Sequence, residues 1–403
     1  MSLILDQENV KNENKNGEKI KTKREKKIKD NENDKILNKK HKREKQKEDD
    51  TLDNETKKTE NPENLEYIFE LTSDSKSYFS FDNTFCVFKS INNILLLIYS
   101  NKNVIIVFNL NDNIAINKIK NVNEENKFIT NFRHYLDIIN NRDLVLSITA
   151  WDNNIKIWNI ESLECICDIK DINSEGYLYS AAFLNDNNKI YIITNNYRKA
   201  FNNYNYSEGI KIFDLQGNMI NKLKNSDESS FSINIFYDNK LEKNFIIVCH
   251  YNCVKSYDYN ENRVYKKYYN NNNSYFWMNS EFHYCSTICD RDRVINLIEG
   301  SAYGIIRIWN FHSGKLIKKI ILKNDSSINN KIFCMCLWDD KHIFVGCEDY
   351  NIKLIDFKKG IVIKILTAHS NWVMSIKKII HPIFGECLIS QGYCNDEIKL
   401  ITT

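Results

Sequence analysis

The sequence predicts an all-β fold, a seven-bladed β-propeller of four-stranded antiparallel blades, on three observations. First, a large apolar residue followed by Asn or Asp closes a strand-like segment six times. The pairs are Phe108-Asn109, Trp158-Asn159, Phe213-Asp214, Tyr257-Asp258, Trp309-Asn310 and Ile355-Asp356, and Ile401-Thr402 ends a seventh segment. Their spacings are 50, 55, 44, 52, 46 and 46 residues, and self-similarity at that period with four strands per unit marks propeller blades. Second, the segment Trp151–Asn159 sets a polar turn before alternating residues, the pattern of a tight hairpin feeding a strand. Third, the last unit stops at Thr403 one strand short, while a lone alternating stretch, Tyr67–Thr72, precedes the first unit.

Taken in order, residues 1–63 hold 18 basic and 16 acidic residues, no aromatic and one Gly. Such a stretch buries too little apolar surface to offset its ordering entropy, so it is expected to be a disordered Lys/Glu-rich tail. Lys19–Lys47 carries 14 basic against 5 acidic residues. Its two clusters, Lys21–Lys29 and Lys39–Lys47, have the form of a bipartite nuclear import signal, and a solvated Lys-rich stretch accounts for the same pattern.

The propeller is expected over 64–403, in units 84–122, 128–170, 177–224, 231–270, 280–323, 331–367 and 372–403. Each supplies an inner, a middle, a signature and an outer strand. The seventh lacks its outer strand, and Tyr67–Thr72 is expected to fill the place, removing both free sheet edges.

Composition agrees. Apolar residues make up 42% and aromatics 12% of 403 residues, enough for a large core. With only 11 Gly and 2 Pro, Asn must serve the turns, because it tolerates a left-handed backbone. Beyond residue 63 the charges nearly cancel, 38 basic against 37 acidic, which argues against a broadly basic nucleic-acid surface. Met1–Val10 lacks a secretory signal and no apolar run reaches membrane-span length. An intracellular, cytoplasmic location is expected, with nuclear entry through Lys19–Lys47 as the alternative, and free thiols for the 12 Cys.

Trp151–Asn159, Gly304–Asn310 and the stretch Ala368-His369-Ser-Asn-Trp372-Val carry a resemblance. Over about 64–403 the chain resembles the WD40-repeat family, seven-bladed propellers that act mostly as assembly platforms. The resemblance implies a buried tetrad of turn Asp, His before the inner strand, Ser or Thr, and the signature Trp. No repeat has all four. Asp152 and Trp158 lack a His, His369 with Ser390 lacks the Trp, Asp349 faces Ile355, and Trp309 is read as packing. Blades are therefore expected to rely on apolar packing more than on that network.

Catalytic motifs are absent: no nucleophile elbow, no Gly-Lys-Ser/Thr phosphate loop and no His-Glu-Xaa-Xaa-His. Cys249-His250-Xaa-Xaa-Cys253 and His283-Xaa-Cys285 with Cys289 lack the paired ligands zinc requires. No enzyme activity, metal, cofactor or small-molecule substrate is expected.

The turns are more informative. By the resemblance, the turn before the signature strand and the loop before the inner strand share one rim. Trp151, Tyr251 and Tyr303 fall in those turns, Tyr197 and Arg198 in the extended turn of the third unit, Trp277 before the fifth and Trp372 before the seventh. Rings with interspersed Asn and Ser give contact area at small entropy cost. The expected function is a non-catalytic scaffold holding a protein or peptide of a multiprotein complex on this top rim. The alternative is an RNA-associated propeller, with aromatics stacking bases and the basic tail on phosphates.

Overall fold

Seven sheets of four antiparallel strands follow one another along the chain in the computed structural model. The structure describes residues 67–71, 83–101, 103–120, 129–149, 154–170, 178–195, 209–269, 282–291, 294–322, 330–393 and 397–402. The tail expected over 1–63 lies outside them. Blade 1 runs from Cys86–Lys89 to Ile114–Lys120, blade 2 from Ile129–Asp137 to Cys165–Lys170, and blade 3 from Ala181–Asp186 to Met219–Lys222. Blade 4 runs from Ser230–Asp238 to Arg263–Tyr268, blade 5 from His283–Arg291 to Leu316–Ile321, and blade 6 from Ile332–Leu337 to Ile361–Thr367. Blade 7 holds Val373–His381, Gly385–Gly392 and Ile398–Thr402, and its fourth strand is Tyr67–Leu71 from the other end of the chain. The ring is closed as the orphan stretch predicts.

One register feature ties Tyr67–Leu71 to the other outer strands. In blades 1 to 6 the outer strand carries one extra residue opposite the signature position. Ile157 pairs with Cys167 and Trp158 with Cys165, leaving Ile166 spare. The same shift recurs at Phe108, Phe213, Tyr257, Trp309 and Ile355. Ile401 pairs with Tyr67 and Leu400 with Phe69, leaving Ile68 spare. The strand borrowed from the far terminus therefore has the bulge, and the added twist, of the other six.

Each blade is covered on both faces by its neighbours, so the second strands are buried without alternation, as in Arg142–Thr149. Between blades 1 and 2, for example, Ile98, Ile105 and Val107 pack with Phe132, Val145 and Trp158. First strands sit at the axis, and outer strands face solvent, six of seven residues of Ile114–Lys120 being exposed.

The Asn or Asp after each signature residue has a local cause. Its side-chain oxygen caps the following turn: Asn159 accepts from the backbone N–H groups of Glu161 and Ser162, Asp214 from Gln216 and Asn218, Asn310 from Ser313, and Asp356 from Lys359. Left-handed turn positions are filled as composition requires, by Asn93, Asn113, Asn141, Asn187, Asn188, Asn225 and Asn262. No helix among the described residues is long and apolar enough to cross a membrane.

First strands begin at one end of the ring, here called the upper face, and turn into second strands at the other, the lower face. The chain joins the ring at the lower face, because Tyr67 pairs with Ile401 there and Leu71 with Ile398 above.

Candidate functional site

The inner strands of blades 2, 4, 5, 6 and 7 begin with a second recurrent bulge. Ser230 pairs with His250 and Ser232 with Cys249, which leaves Phe231 without an opposite partner. The same shift frees Thr130, Tyr284, Phe333 and Met374. A bulge residue is re-aimed relative to the pleat. In blades 4 to 7 the re-aimed side chains are large, and they meet at the upper face. Phe231, Tyr284, Phe333 and Met374 form one packed group with Ala302, and Tyr251, Phe282, Trp372 and Tyr393 lie half-buried against it.

Ring contacts run without a break from blade 3 to blade 7. Tyr179 lies 6.3 Å from Phe231, Phe231 5.1 Å from Tyr284, and Tyr284 5.4 Å from Phe333. Phe333 lies 5.5 Å from Trp372, and Trp372 5.0 Å from Tyr393. On the rim, Tyr251 meets Phe282 edge-on at 4.3 Å. These are offset and tilted geometries that aromatic quadrupoles favour. The inner residues are dry and the outer ones offer ring faces and edges to solvent. Lys331 sets its ammonium 5.7 Å from the centre of the Trp372 ring and pairs with Glu348 at 2.5 Å.

Beneath this mouth the axis is polar. Arg133 of blade 2 donates through Nη2 to the Ile233 carbonyl (2.7 Å) and to Asn234 Oδ1 (3.3 Å) in blade 4. Asn234 donates onward to the Ser286 carbonyl of blade 5 at 2.8 Å. Inner strands are also stitched at their upper ends. Ser375 Oγ accepts from the Asn83 backbone, Ser180 Oγ accepts from the Ile233 backbone, and Cys334 donates to the Val373 carbonyl at 3.4 Å. These bonds hold the base of the mouth rigid.

At the tetrad positions the blades differ. In blade 2, Trp158 Nε1 donates to Ser147 Oγ at 2.9 Å. In blade 7, His369 Nε2 lies 2.8 Å from Ser390 Oγ. In blade 6, Asp349 accepts from Asn330 and Lys353. Trp309 is 3% exposed and packs against Tyr268. Blades 4 and 5 hold buried charge instead. Lys255 pairs with Glu228 at 2.6 Å. Glu299 lies 2.8 Å from His283 Nδ1 and accepts from Arg307 Nη1 at 3.2 Å, with all three buried. Burial pushes the Glu299 carboxyl up, but the charges of His283 and Arg307 outweigh it and hold the group below its usual value. Apolar packing is thus supplemented by ion pairs that the tetrad comparison does not reveal. A signal exists: a basic residue stands two positions before the signature residue in blades 2 to 7, at Lys156, Lys211, Lys255, Arg307, Lys353 and Lys399.

His250 Nε2 lies 3.0 Å from the Tyr257 hydroxyl, and burial together with the Lys255 charge lowers its pKa to about 4. Burial pushes the Cys253 and Cys347 thiols up to about 12, so both are inert core residues rather than nucleophiles. No group of three or more His, Cys, Asp or Glu side chains suited to a metal ion occurs among the described residues.

Of the rim residues expected from sequence, Trp151, Tyr197, Arg198 and Trp277, with the turn residue Asp152, lie outside the described residues. Tyr251 and Trp372 belong to the aromatic mouth. Tyr303 is half-buried in the next turn, where its neighbour Ala302 joins the packed group instead. Phe231, Phe282, Tyr284, Phe333 and Tyr393 escape sequence reasoning. Three of them, Phe231, Tyr284 and Phe333, share a signal, an aromatic at the second position of an inner strand, whose direction is legible only from the bulge. Protein-family models give no match to this chain, and neither do curated protein sequences.

Proposed function

We propose that the chain is a non-enzymatic WD40-type platform that captures a protein or peptide partner on the aromatic mouth of its upper face. One observation supports the reading above the others: bulges in blades 4 to 7 turn core-type residues toward the ring mouth, where half-buried Tyr251, Phe282, Trp372 and Tyr393 complete a contiguous aromatic surface. Rings backed by a rigid, dry layer offer contact area with little entropy left to lose, the property of interface anchors. The partner's apolar side chains would seat among these rings, while Lys331 and Glu348 at the rim select its orientation.

The test is recovery of bound proteins by the full chain and by a Tyr251→Ala, Trp372→Ala, Tyr393→Ala variant. Each anchor removed should weaken binding by roughly tenfold or more, and the variant should keep the wild-type unfolding midpoint within a few degrees. Unchanged recovery eliminates the mouth as the docking surface. Nuclease-sensitive recovery that disappears on deleting residues 1–63 would favour the RNA-associated alternative.

A further inference from the structure

Solvent reaches the axis of the ring from below. In blades 2, 4, 5, 6 and 7 the first four residues of the first strand are buried and the next two are partly exposed. The upper part of the axis is therefore filled, and its polar middle meets water through the lower face.

Strand register sets one residue of each blade in the layer where exposure begins. In blade 2 it is Arg133, which pairs with Leu146, the residue after the one facing Trp158. The equivalent residues are Asn234, Thr287, Cys336 and Lys377 in blades 4 to 7, with the small Cys86 and Ala182 in blades 1 and 3. These side chains run along the inner edge of the ring. Arg133 passes Ala182 to reach blade 4, Asn234 donates to the Ser286 carbonyl of blade 5, and Cys336 Sγ accepts from the Lys378 backbone of blade 7 at 3.1 Å. Residues one place further on turn away from the axis. His134 stacks on Phe88 and pairs with Asp143, and Lys378 pairs with Glu386. Burial raises the pKa of the Cys86 thiol, and the charges of Lys377 and Arg133 pull it back down, so both cations act on the blade between them.

The layer thus holds two cations and no carboxylate. No first strand carries Asp or Glu before its last two positions. The acidic residues of those strands, Asp137, Asp186, Asp238 and Asp290, stand three or four residues lower, about 10–13 Å along the strand. A recess with low-dielectric walls and one sign of charge focuses its field and draws in counter-ions. Two positive charges in one layer repel, and an anion of matching charge offsets that repulsion. The planar guanidinium fork fits the oxygens of a phosphate, a Lys ammonium adds a point charge, and a Thr hydroxyl can donate to a further oxygen.

We propose that the axis binds a phosphate group at this layer, admitted through the lower face, with Arg133 and Lys377 neutralising its charge and Thr287 donating a hydrogen bond. The aromatic mouth lies at the opposite face, so this inference stands independently of the reading given for the mouth.

The test is isothermal titration of the full chain with inorganic phosphate and, separately, with a phosphoserine peptide. Saturable one-to-one binding is expected, weakening as sodium chloride is raised. The tighter of the two probes identifies the source of the group, a small phosphate compound or a phosphorylated protein segment. Lys377→Met, at a partly exposed position, should bind roughly tenfold or more weakly. Arg133→Lys keeps the charge but loses the fork, and should weaken binding as well. The two variants give separate readings should one fail to fold, which circular dichroism checks. A Lys319→Met control, exposed on the outer strand of blade 5, should bind as wild type. Absence of saturable binding with both probes overturns the proposal, as does a folded Lys377→Met or Arg133→Lys protein that binds like wild type.

Discussion

Arg133 of blade 2 reaches past blade 3 to donate a hydrogen bond to the Ile233 carbonyl of blade 4, 2.7 Å away. Blade 3 lies between them and carries the small residues Ala181 and Ala182 at the start of its inner strand. Most contacts in a propeller join a blade to itself or its neighbour, so this bond couples the ring at longer range. Arg133→Met should lower stability by about 2 kcal/mol, the scale of a charged hydrogen bond with its acceptor left behind. Urea denaturation of the two proteins measures it, with an unchanged slope expected because the same surface is exposed on unfolding.

Glu299, His283 and Arg307 should separate breaking a buried ion cluster from replacing it. Glu299→Leu leaves Arg307 buried without its carboxylate partner and should cost roughly 3–5 kcal/mol. The paired change Glu299→Leu with Arg307→Met removes both charges and should recover most of that loss. A double-mutant cycle by chemical denaturation reads the coupling, and additivity would show that the two side chains act separately.

Acid should destabilise blade 4 through His250. Its folded pKa, about 4, lies below the ordinary histidine value. The unfolded chain therefore binds a proton that the folded chain refuses. The contribution to stability is fully present above pH ~6.5 and is lost as pH falls toward 4. His134, whose pKa burial lowers against the opposing pull of Asp143, acts in the same direction. Stability should drop by about 2 kcal/mol between pH 8 and pH 5 from His250 alone. His250→Asn should flatten that slope, as followed by denaturation midpoints at the two pH values.

Closure depends on Tyr67–Leu71. A chain starting at residue 72 exposes the edge of Ile398–Thr402, whose Ile398, Leu400 and Ile401 are fully buried in the intact ring. Such an edge invites pairing with another chain. Limited proteolysis should proceed roughly tenfold or more faster than for a chain starting at residue 64, equivalent to about 1.4 kcal/mol of lost stability. Size-exclusion chromatography should show association.

The number of blades, the closing strand and the turn chemistry were legible in the amino-acid sequence because each is a local or periodic property. Trp158-Asn159 marks a signature strand and its cap within two residues, and its echoes count the blades. The aromatic mouth was only half legible. Tyr251 and Trp372 stand in turns whose position the repeat predicts, whereas Phe231, Tyr284 and Phe333 sit inside strands, where alternation alone assigns them a face.

What the tertiary structure decided is where those side chains point. A one-residue bulge against the second strand re-aims Phe231, and ring closure then brings it beside Tyr284 of the next blade. The meeting of Glu299 with His283 and Arg307 likewise depends on strand register. Period fixes which residues occupy equivalent places, but direction and company depend on pairing between strands distant in the chain, which no stretch of sequence carries by itself.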